Sequence, residues 1–224
     1  TRTIKALNNV SLSIKEGETL AVVGESGSGK STLARSLLQL QAIDEGSLRF
    51  KGQDMTSLNK EDSKALKRSI QMVFQDPYAS LNPRMKIEEI LEEGLVIHDL
   101  GNKKTRQLKV RDMIKKVGLK VADLNKYPHQ FSGGQRQRVS IARALAGEPR
   151  LILADEPTAA LDSHSGRQAV ELVQAMAREQ GCTVLMVTHD TRILDIADRV
   201  VRMEDGRIVS DERHGNDGAK GAVA

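Results

Sequence analysis

Thr19-Leu20-Ala21-Val22-Val23-Gly24-Glu25-Ser26-Gly27-Ser28-Gly29-Lys30-Ser31-Thr32 decides the fold of this 224-residue chain. Its first five residues form a short apolar run of the kind that lies buried as a parallel strand. A loop of small residues follows, and then a helical stretch that the sequence predicts to about Gln41. Gly24-x-x-x-x-Gly29-Lys30-Ser31, set between a strand and a helix, fits a phosphate-binding loop. The chemistry requires each part. Glycines let main-chain N–H groups turn inward toward phosphate oxygens, and the helix N-terminus adds the positive end of its dipole. Lys30 supplies a charge for β and γ phosphates, Ser31 a hydroxyl for Mg²⁺, and Thr32 a contact to the α phosphate. Gly24, Glu25, Ser26, Gly27, Ser28, Gly29, Lys30, Ser31 and Thr32 are therefore the first candidate nucleotide-binding residues.

Other segments extend the same pattern. Residues 10–14 alternate apolar and polar, which predicts a half-buried strand before the Lys15-Glu16-Gly17 turn. Ser47–Lys51 reads as another strand, Lys60–Arg68 as a charged helix and Ile70–Phe74 as a second short apolar strand. Leu151–Asp155 and Thr183–Val187 repeat the buried-strand pattern, with a helix between them over about 163–180. Val200–Met203 and Arg207–Val209, around Glu204-Asp205-Gly206, predict a terminal hairpin. Strands alternating with helices imply an α/β fold with a mainly parallel sheet. Residues 76–149 differ: helix formers and long charged side chains are broken at Pro77, Pro83, Gly101, Gly118 and Pro128. The expected organisation is a core of residues 1–75 and 150–209, an inserted helical part over 76–149, and a frayed tail over 210–224.

A second chemical feature sits at the end of the strand 151–155. Asp155 and Glu156 place two carboxylates at the C-terminal edge of the sheet, where open α/β sheets bind ligands. Asp155 is suited to Mg²⁺ and Glu156 to polarising an attacking water, because phosphoanhydride hydrolysis needs charge neutralisation and a positioned nucleophile. His189 follows the strand 183–187 and belongs to the same edge, within reach of a γ phosphate. His98, His129, His164 and His214 have no such context.

Composition narrows the class. Apolar residues make up 39% and charged residues 29%, as in a globular domain. The single cysteine, Cys182, excludes an internal disulfide framework. No run reaches the roughly 18 apolar residues of a membrane span, and no secretory signal opens the chain, so a cytoplasmic location is expected. Net charge is +4, with two Tyr, three Phe and no Trp, a poor supply for stacking bases, so no nucleic-acid partner is expected.

Ser132-Gly133-Gly134-Gln135, before a strong helix over 136–147, completes an ordered set. Gly24–Ser31, Gln75, Ser132–Gln135, Asp155-Glu156, Asp162 and His189, in that order, resemble the ATP-binding-cassette (ABC) ATPases over nearly the whole chain. The resemblance implies a P-loop NTPase core with a mixed, mainly parallel sheet, an N-terminal antiparallel β part and an inserted helical subdomain. It implies ATP hydrolysis, with ATP and Mg²⁺ as cofactors. Glu156, His189, Gln75 and Lys30 would act in the reaction, and Ser31, Gln75 and Asp155 would serve the metal. Ser132 and Gly134 would contact the γ phosphate held by a second copy or a related ATPase subunit in a head-to-tail dimer, with Gly133 and Gln135 in the same nucleotide site and Asp162 at that interface. Ser-Gly-Gly at a helix start is itself an anion-binding nest. Transmembrane permease subunits would be the other partners, placing the chain on the inner face of the membrane. A soluble non-transport ABC ATPase and a P-loop small-molecule kinase are the alternatives.

Finer likenesses divide the chain. Phe74–Pro83 and Pro128–Gly134 look like the ATPases of peptide and nickel importers. Residues from Glu156 to Val209 are more similar to lipoprotein-release and glycolipid-export ATPases, as in a divergent, reconstructed or fused sequence joined near 150–156. The family usually stacks adenine on an aromatic in the first strand, yet no aromatic precedes Phe50, and Ile4 offers only apolar contact. Weaker base discrimination is the expectation. Lys103, Lys104, Arg106, Lys109, Arg111, Lys115, Lys116 and Lys120 form a basic stretch with almost no compensating acid, read as a solvated face or as one near anionic lipid headgroups or an acidic partner.

Overall fold

A computed structural model describes residues 6–56, 58 and 60–214. Among these residues, eight strands and seven α-helices follow in the order β1 (Thr19–Val23), α1 (Lys30–Leu37), β2 (Arg49–Phe50), β3 (Gln53–Asp54), α2 (Lys60–Ser69), β4 (Ile70–Val73), α3 (Pro77–Ser80), α4 (Ile87–Ile97), α5 (Lys103–Lys116), α6 (Gly133–Leu145), β5 (Leu151–Asp155), α7 (Ser163–Glu179), β6 (Thr183–Thr188), β7 (Arg199–Glu204) and β8 (Arg207–Arg213). The main sheet has the order β4-β5-β6-β1-β7-β8, parallel except for β8. β1 lies inside it, so its neighbours β6 and β7 come from the far end of the chain.

Alternate residues of each inner strand serve opposite faces. Leu20, Val22, Leu151, Leu153, Leu185 and Val187 join Leu33 and Ala34 of α1 in one core. Ala21, Val23, Ile152, Ala154, Val184 and Met186 join Val139, Ile141 and Leu145 of α6 and Val170 and Val173 of α7 in the other. Burial on both faces explains the continuous apolar runs. Each fully buried Leu or Ile contributes about 1.5–3 kcal/mol.

Polar side chains start several helices. Asp76 accepts from Tyr78 N–H at 2.8 Å, Asn102 from Thr105 N–H at 3.0 Å, and Asp162 from His164 and Ser165 N–H at 3.1 and 3.0 Å. Helices α3 to α6 occupy residues 77–145, with 3-10 turns at Val121–Asn125 and Pro128–Gln130 between them. No helix among the described residues is long and apolar enough to cross a membrane.

Several expectations change. Residues 10–14 keep the alternating burial but form no strand. Side chains take the place of a ladder there: Arg199 holds the carbonyl of Ser13 at 2.7 Å, while Val10, Leu12 and Ile14 pack on the core. The strand expected at Ser47–Lys51 shrinks to Arg49–Phe50, paired with Gln53–Asp54, the antiparallel N-terminal part among the described residues. α1 ends at Leu37, four residues short of Gln41. The tail does not fray at Ser210. β8 runs to Arg213 because Asp211 accepts two hydrogen bonds from Arg199, at 2.6 and 2.5 Å. Ile4 and residues 215–224 lie outside the described residues.

The basic stretch is not short of acid. Tertiary packing brings Glu92 to Arg106 at 2.9 Å, Glu148 to Lys109 at 2.7 Å and Glu179 to Lys116 at 2.7 Å. Asp112 adds a fourth carboxylate at 3.4 Å from Lys116. Three of these four acids lie on other elements, out of reach of a reading along the chain.

Candidate functional site

β1 delivers the chain at Val23, and Gly24 must pass directly beneath β7. A Cβ on Gly24 would sit 2.1 Å from the Met203 carbonyl oxygen. Gly29 closes the loop in the left-handed region, φ 99°, and a Cβ there would meet the Ala6 carbonyl at 2.5 Å. α1 then starts with no side-chain cap and no acid in its first turn. Its leading N–H groups and the positive end of its dipole face the loop, which suits an anion. Lys30 is buried and folds back over the loop: Nζ donates to the carbonyls of Gly24 at 2.8 Å and Glu25 at 2.7 Å, with Ser28 Oγ at 3.4 Å. Glu25, Ser26 and Gly27 are exposed at the tip, Ser28 is buried, and Ser31 and Thr32 are half-buried on α1.

The turn between β7 and β8 buttresses this loop. Asp205 and Gly206 both have positive φ, 44° and 72°, as a tight two-residue hairpin turn requires. Gly206 N–H donates to the Ser28 carbonyl at 3.0 Å, and Asn8 N–H donates to the Gly206 carbonyl at 2.8 Å.

Across the sheet edge, Ser31 Oγ donates to Asp155 Oδ1 at 3.2 Å. Burial pushes the Asp155 carboxyl above the usual carboxylate range; the Ser31 hydroxyl opposes that shift, and the neighbouring Glu156 charge adds to it. Hydroxyl and carboxylate oxygens at this separation are hard donors that fit Mg²⁺, which keeps several waters and takes few protein ligands. The buried carboxyl also favours a nearby cation.

Glu156 has a left-handed backbone, φ 47°, which costs a non-glycine residue about 1–3 kcal/mol. Its N–H is held by the Val187 carbonyl at 2.8 Å. Its Oε2 lies 2.8 Å from His189 Nδ1 and 3.3 Å from the His189 N–H. A hydrogen bond from Nδ1 places the proton there and leaves Nε2 as an acceptor in the neutral ring. The His189 side chain is 63% exposed, so Nε2 is accessible.

The structure thus joins Ser31 to Asp155 and Glu156 to His189, with Lys30 beside them on the loop. Gln75 lies exposed at the same edge, just past β4, whose Val73 is level with Ala154. Ser132, Gly133, Gly134, Gln135 and Asp162 form a separate group. Ser132 caps α6, with its Oγ accepting from Gln135 N–H at 3.3 Å and Gln135 Oε1 accepting from Ser132 N–H at 2.9 Å. Asp162 caps α7. The two helix starts touch: a Cβ on Gly133 would lie 3.6 Å from Leu161 Cδ2, and one on Gly134 the same distance from Ser165 Oγ. Among the described residues no hydrogen bond joins this group to the phosphate loop.

Sequence reasoning missed the residues that hold the loop after Glu156. Gln137 Nε2 donates to the Pro157 carbonyl at 3.2 Å, and Thr158 Oγ1 donates to Asp190 Oδ2 at 3.4 Å. A polar residue inside the apolar periodicity of α6 was the available signal for the first. Nothing along the chain marks the second.

Comparisons with known proteins point to one family. A family model described as ABC transporter matches residues 7–159. The oligopeptide transport ATP-binding protein OppF of Streptococcus mutans is 49% identical over 92% of this chain and 68% of its own length. The OppF protein of Bacillus subtilis is 46% identical over 92% of this chain and 69% of its own. The dipeptide transport ATP-binding protein DppF of Escherichia coli is 45% identical over 93% and 63%, respectively. The chain therefore spans about two thirds of these relatives. Among solved structures, a dimeric post-hydrolysis state of the ATP-binding cassette MJ0796, bound to ADP and Pi, superposes with a TM-score of 0.82 at 36% identity, covering 93% of this chain and 90% of that one. CbiO1 of Clostridium perfringens, part of the ABC transporter complex CbiONQ, gives 0.85 at 30% identity, covering 93% and 82%.

Proposed function

The chain belongs to the ABC transporter family, and on that premise we propose that it is the ATP-hydrolysing, nucleotide-binding subunit of a peptide importer. The observation that carries this reading is the joining of Ser31 to Asp155 and of Glu156 to His189 at the C-terminal edge of the parallel sheet. The oligopeptide and dipeptide transport relatives support peptides as the cargo class. A separate transmembrane permease would be driven by closure of two chains head to tail. Residues 1–75 and 150–209 form the ATP-binding core in this reading, and the helical part over 76–149 docks on the permease at the inner face of the membrane.

Each residue has a task. The α1 N-terminus and the N–H groups of Gly27 to Thr32 cradle the phosphates, and Lys30 leaves its loop carbonyls to neutralise them. Ser31, Asp155 and Gln75 would hold Mg²⁺. Mg²⁺, when bound, neutralises phosphate oxygens as charge develops. Glu156 orients the attacking water and accepts its proton. His189, held by Glu156 through Nδ1, donates to the γ phosphate from Nε2 when both ring nitrogens carry a proton. Ser132–Gln135 of the second chain complete the site from the other side, with Asp162 at that interface.

The test is Mg²⁺-dependent ATP hydrolysis against protein concentration, with Glu156→Gln as the blank and Ser132→Arg alongside. A rate per chain that rises with concentration, loss of turnover in Ser132→Arg with nucleotide binding kept, and an ATP-dependent dimer of Glu156→Gln are expected. Hydrolysis no faster than the blank refutes the ATPase reading. Full activity of Ser132→Arg refutes the two-chain site.

A further inference from the structure

α6 carries a glutamine that its apolar face does not ask for. Gln137 is fully buried. Its Nε2 donates to the carbonyl of Pro157 at 3.2 Å, and that contact fixes the amide orientation, since a carbonyl only accepts. Its Oε1 is buried too and accepts a hydrogen bond from no described residue. A half-satisfied buried amide is a poor way to stabilise a core. An apolar chain of the same length would remove that unpaired atom but strip the buried Pro157 carbonyl of its donor, so what the amide adds over an apolar chain is its hold on that carbonyl. Gln137 therefore serves something besides packing.

The carbonyl it holds is informative. Pro157 has no N–H, so its carbonyl is the single main-chain group through which that residue can be hydrogen-bonded. It follows Glu156, whose left-handed backbone (φ 47°) aims the carboxylate at His189. Such a conformation persists only where its surroundings over-determine it. β6 holds one side through the Val187 carbonyl, at 2.8 Å from Glu156 N. Two tight turns hold the loop from within: Ala159 N–H to the Glu156 carbonyl at 3.1 Å, and Leu161 N–H to the Thr158 carbonyl at 3.0 Å. Thr158 is buried against Gly166, where an added Cβ would lie 3.1 Å from the threonine Cβ. Gln137 supplies the restraint from α6. Ser132 caps that helix, and the five-residue rise from Ser132 to Gln137 is about 7.5 Å of rigid rod.

We infer that Gln137 is a positioning residue for hydrolysis: it locks the Glu156-Pro157 turn and ties it to the helix that bears Ser132–Gln135. The inference rests on the ATPase reading above. In a head-to-tail pair, Ser132–Gln135 serve the partner's nucleotide while Glu156 serves the chain's own, so the bond from Gln137 to Pro157 joins the two sites inside one chain.

The experiment compares the 224-residue chain with Gln137→Met, which keeps the length and removes both polar atoms. It reads kcat and KM for MgATP, the Tm, and hydrogen exchange of the Ala159 and Leu161 amides, with Glu156→Gln as the blank. The expected result is a kcat lower by about two- to tenfold, the effect of one lost hydrogen bond, at a KM changed by less than about twofold. The Tm falls by at most about 10 °C, as one unpaired buried acceptor allows, and exchange speeds up at Ala159 and Leu161 only. Unchanged kcat and unchanged exchange mean that Gln137 merely fills the core and overturn the inference. A lowered Tm with faster exchange throughout the chain assigns any loss of kcat to general destabilisation and overturns it too. If the unsubstituted chain does not exceed the blank, the ATPase reading falls. In that case faster exchange at 159 and 161 still supports the hold on the loop, and unchanged exchange removes both.

Discussion

Two alanines in the Gly24–Ser31 loop separate backbone strain from steric fit. Gly27 and Gly29 both have left-handed φ, 84° and 99°. An added Cβ at Gly27 meets nothing within 4 Å. At Gly29 it lies 2.5 Å from the Ala6 carbonyl and 3.1 Å from Leu7 Cδ2, well inside the 3.4 Å where ordinary contact begins. The clash is with main chain, and Gly206 closes the same junction from the β7–β8 turn, 3.4 Å away. Gly27→Ala should therefore cost only the left-handed conformation, about 1–2 kcal/mol. Gly29→Ala should cost that and about 1–3 kcal/mol of overpacking. With total stability of about 5–15 kcal/mol, the second variant loses a large share of its margin. Equilibrium urea unfolding without nucleotide, compared at constant m, measures both. For a chain of this size the extra cost is a further drop in Tm of about 2–4 °C per kcal/mol. Two variants equal within about 0.5 kcal/mol would refute the three-way packing of residues 6–8, the loop and the hairpin turn, because that is the resolution of surface-level changes.

Arg199 offers a second test. It is buried, pairs twice with Asp211 and holds the Ser13 carbonyl, so Arg199→Ala should destabilise by about 1–3 kcal/mol at pH 7. The Arg199 hydrogen bonds keep the Asp211 carboxyl below the usual range. A depressed folded pKa contributes stability that is full above the unfolded value, about 3.9, and is lost as pH falls through the folded value. The gap between the two proteins should narrow below about pH 4; urea midpoints that stay parallel down to pH 3 would contradict it. Cys182 is buried, and burial pushes its thiol up to about 11. A disulfide reagent should leave the native chain unlabelled at pH 7 and react at once in urea, whereas native labelling at the speed of a free thiol would show that the site is open.

Much of the fold was legible along the chain, and the reasons are local. The apolar runs at 19–23, 151–155 and 183–187 became inner strands because burial on both faces leaves no polar position. Gly24–Ser31 announced a tight glycine loop between strand and helix, and β1 and α1 flank it. Residues 10–14 misled because alternation reports burial, and burial there comes from packing on a core with Arg199 in place of a ladder. The tail misled because the composition of 210–224 hides the Asp211 that anchors β8.

What the sequence by itself determined is most of the inventory: where the inner strands and longer helices lie, and which residues are candidates for nucleotide and Mg²⁺. Periodicity, caps and glycine placement act within a few residues, so they can be read in order. Only the tertiary structure decided which of those residues meet. The strand order β4-β5-β6-β1-β7 sets Ser31 against Asp155 across 124 positions, Glu156 against His189 across 33, and Lys116 against Glu179 across 63. It also puts Gln137 under Pro157. Such pairs depend on how two cores pack on one sheet, a choice made by the summed burial of all the strands and written in no single stretch of them.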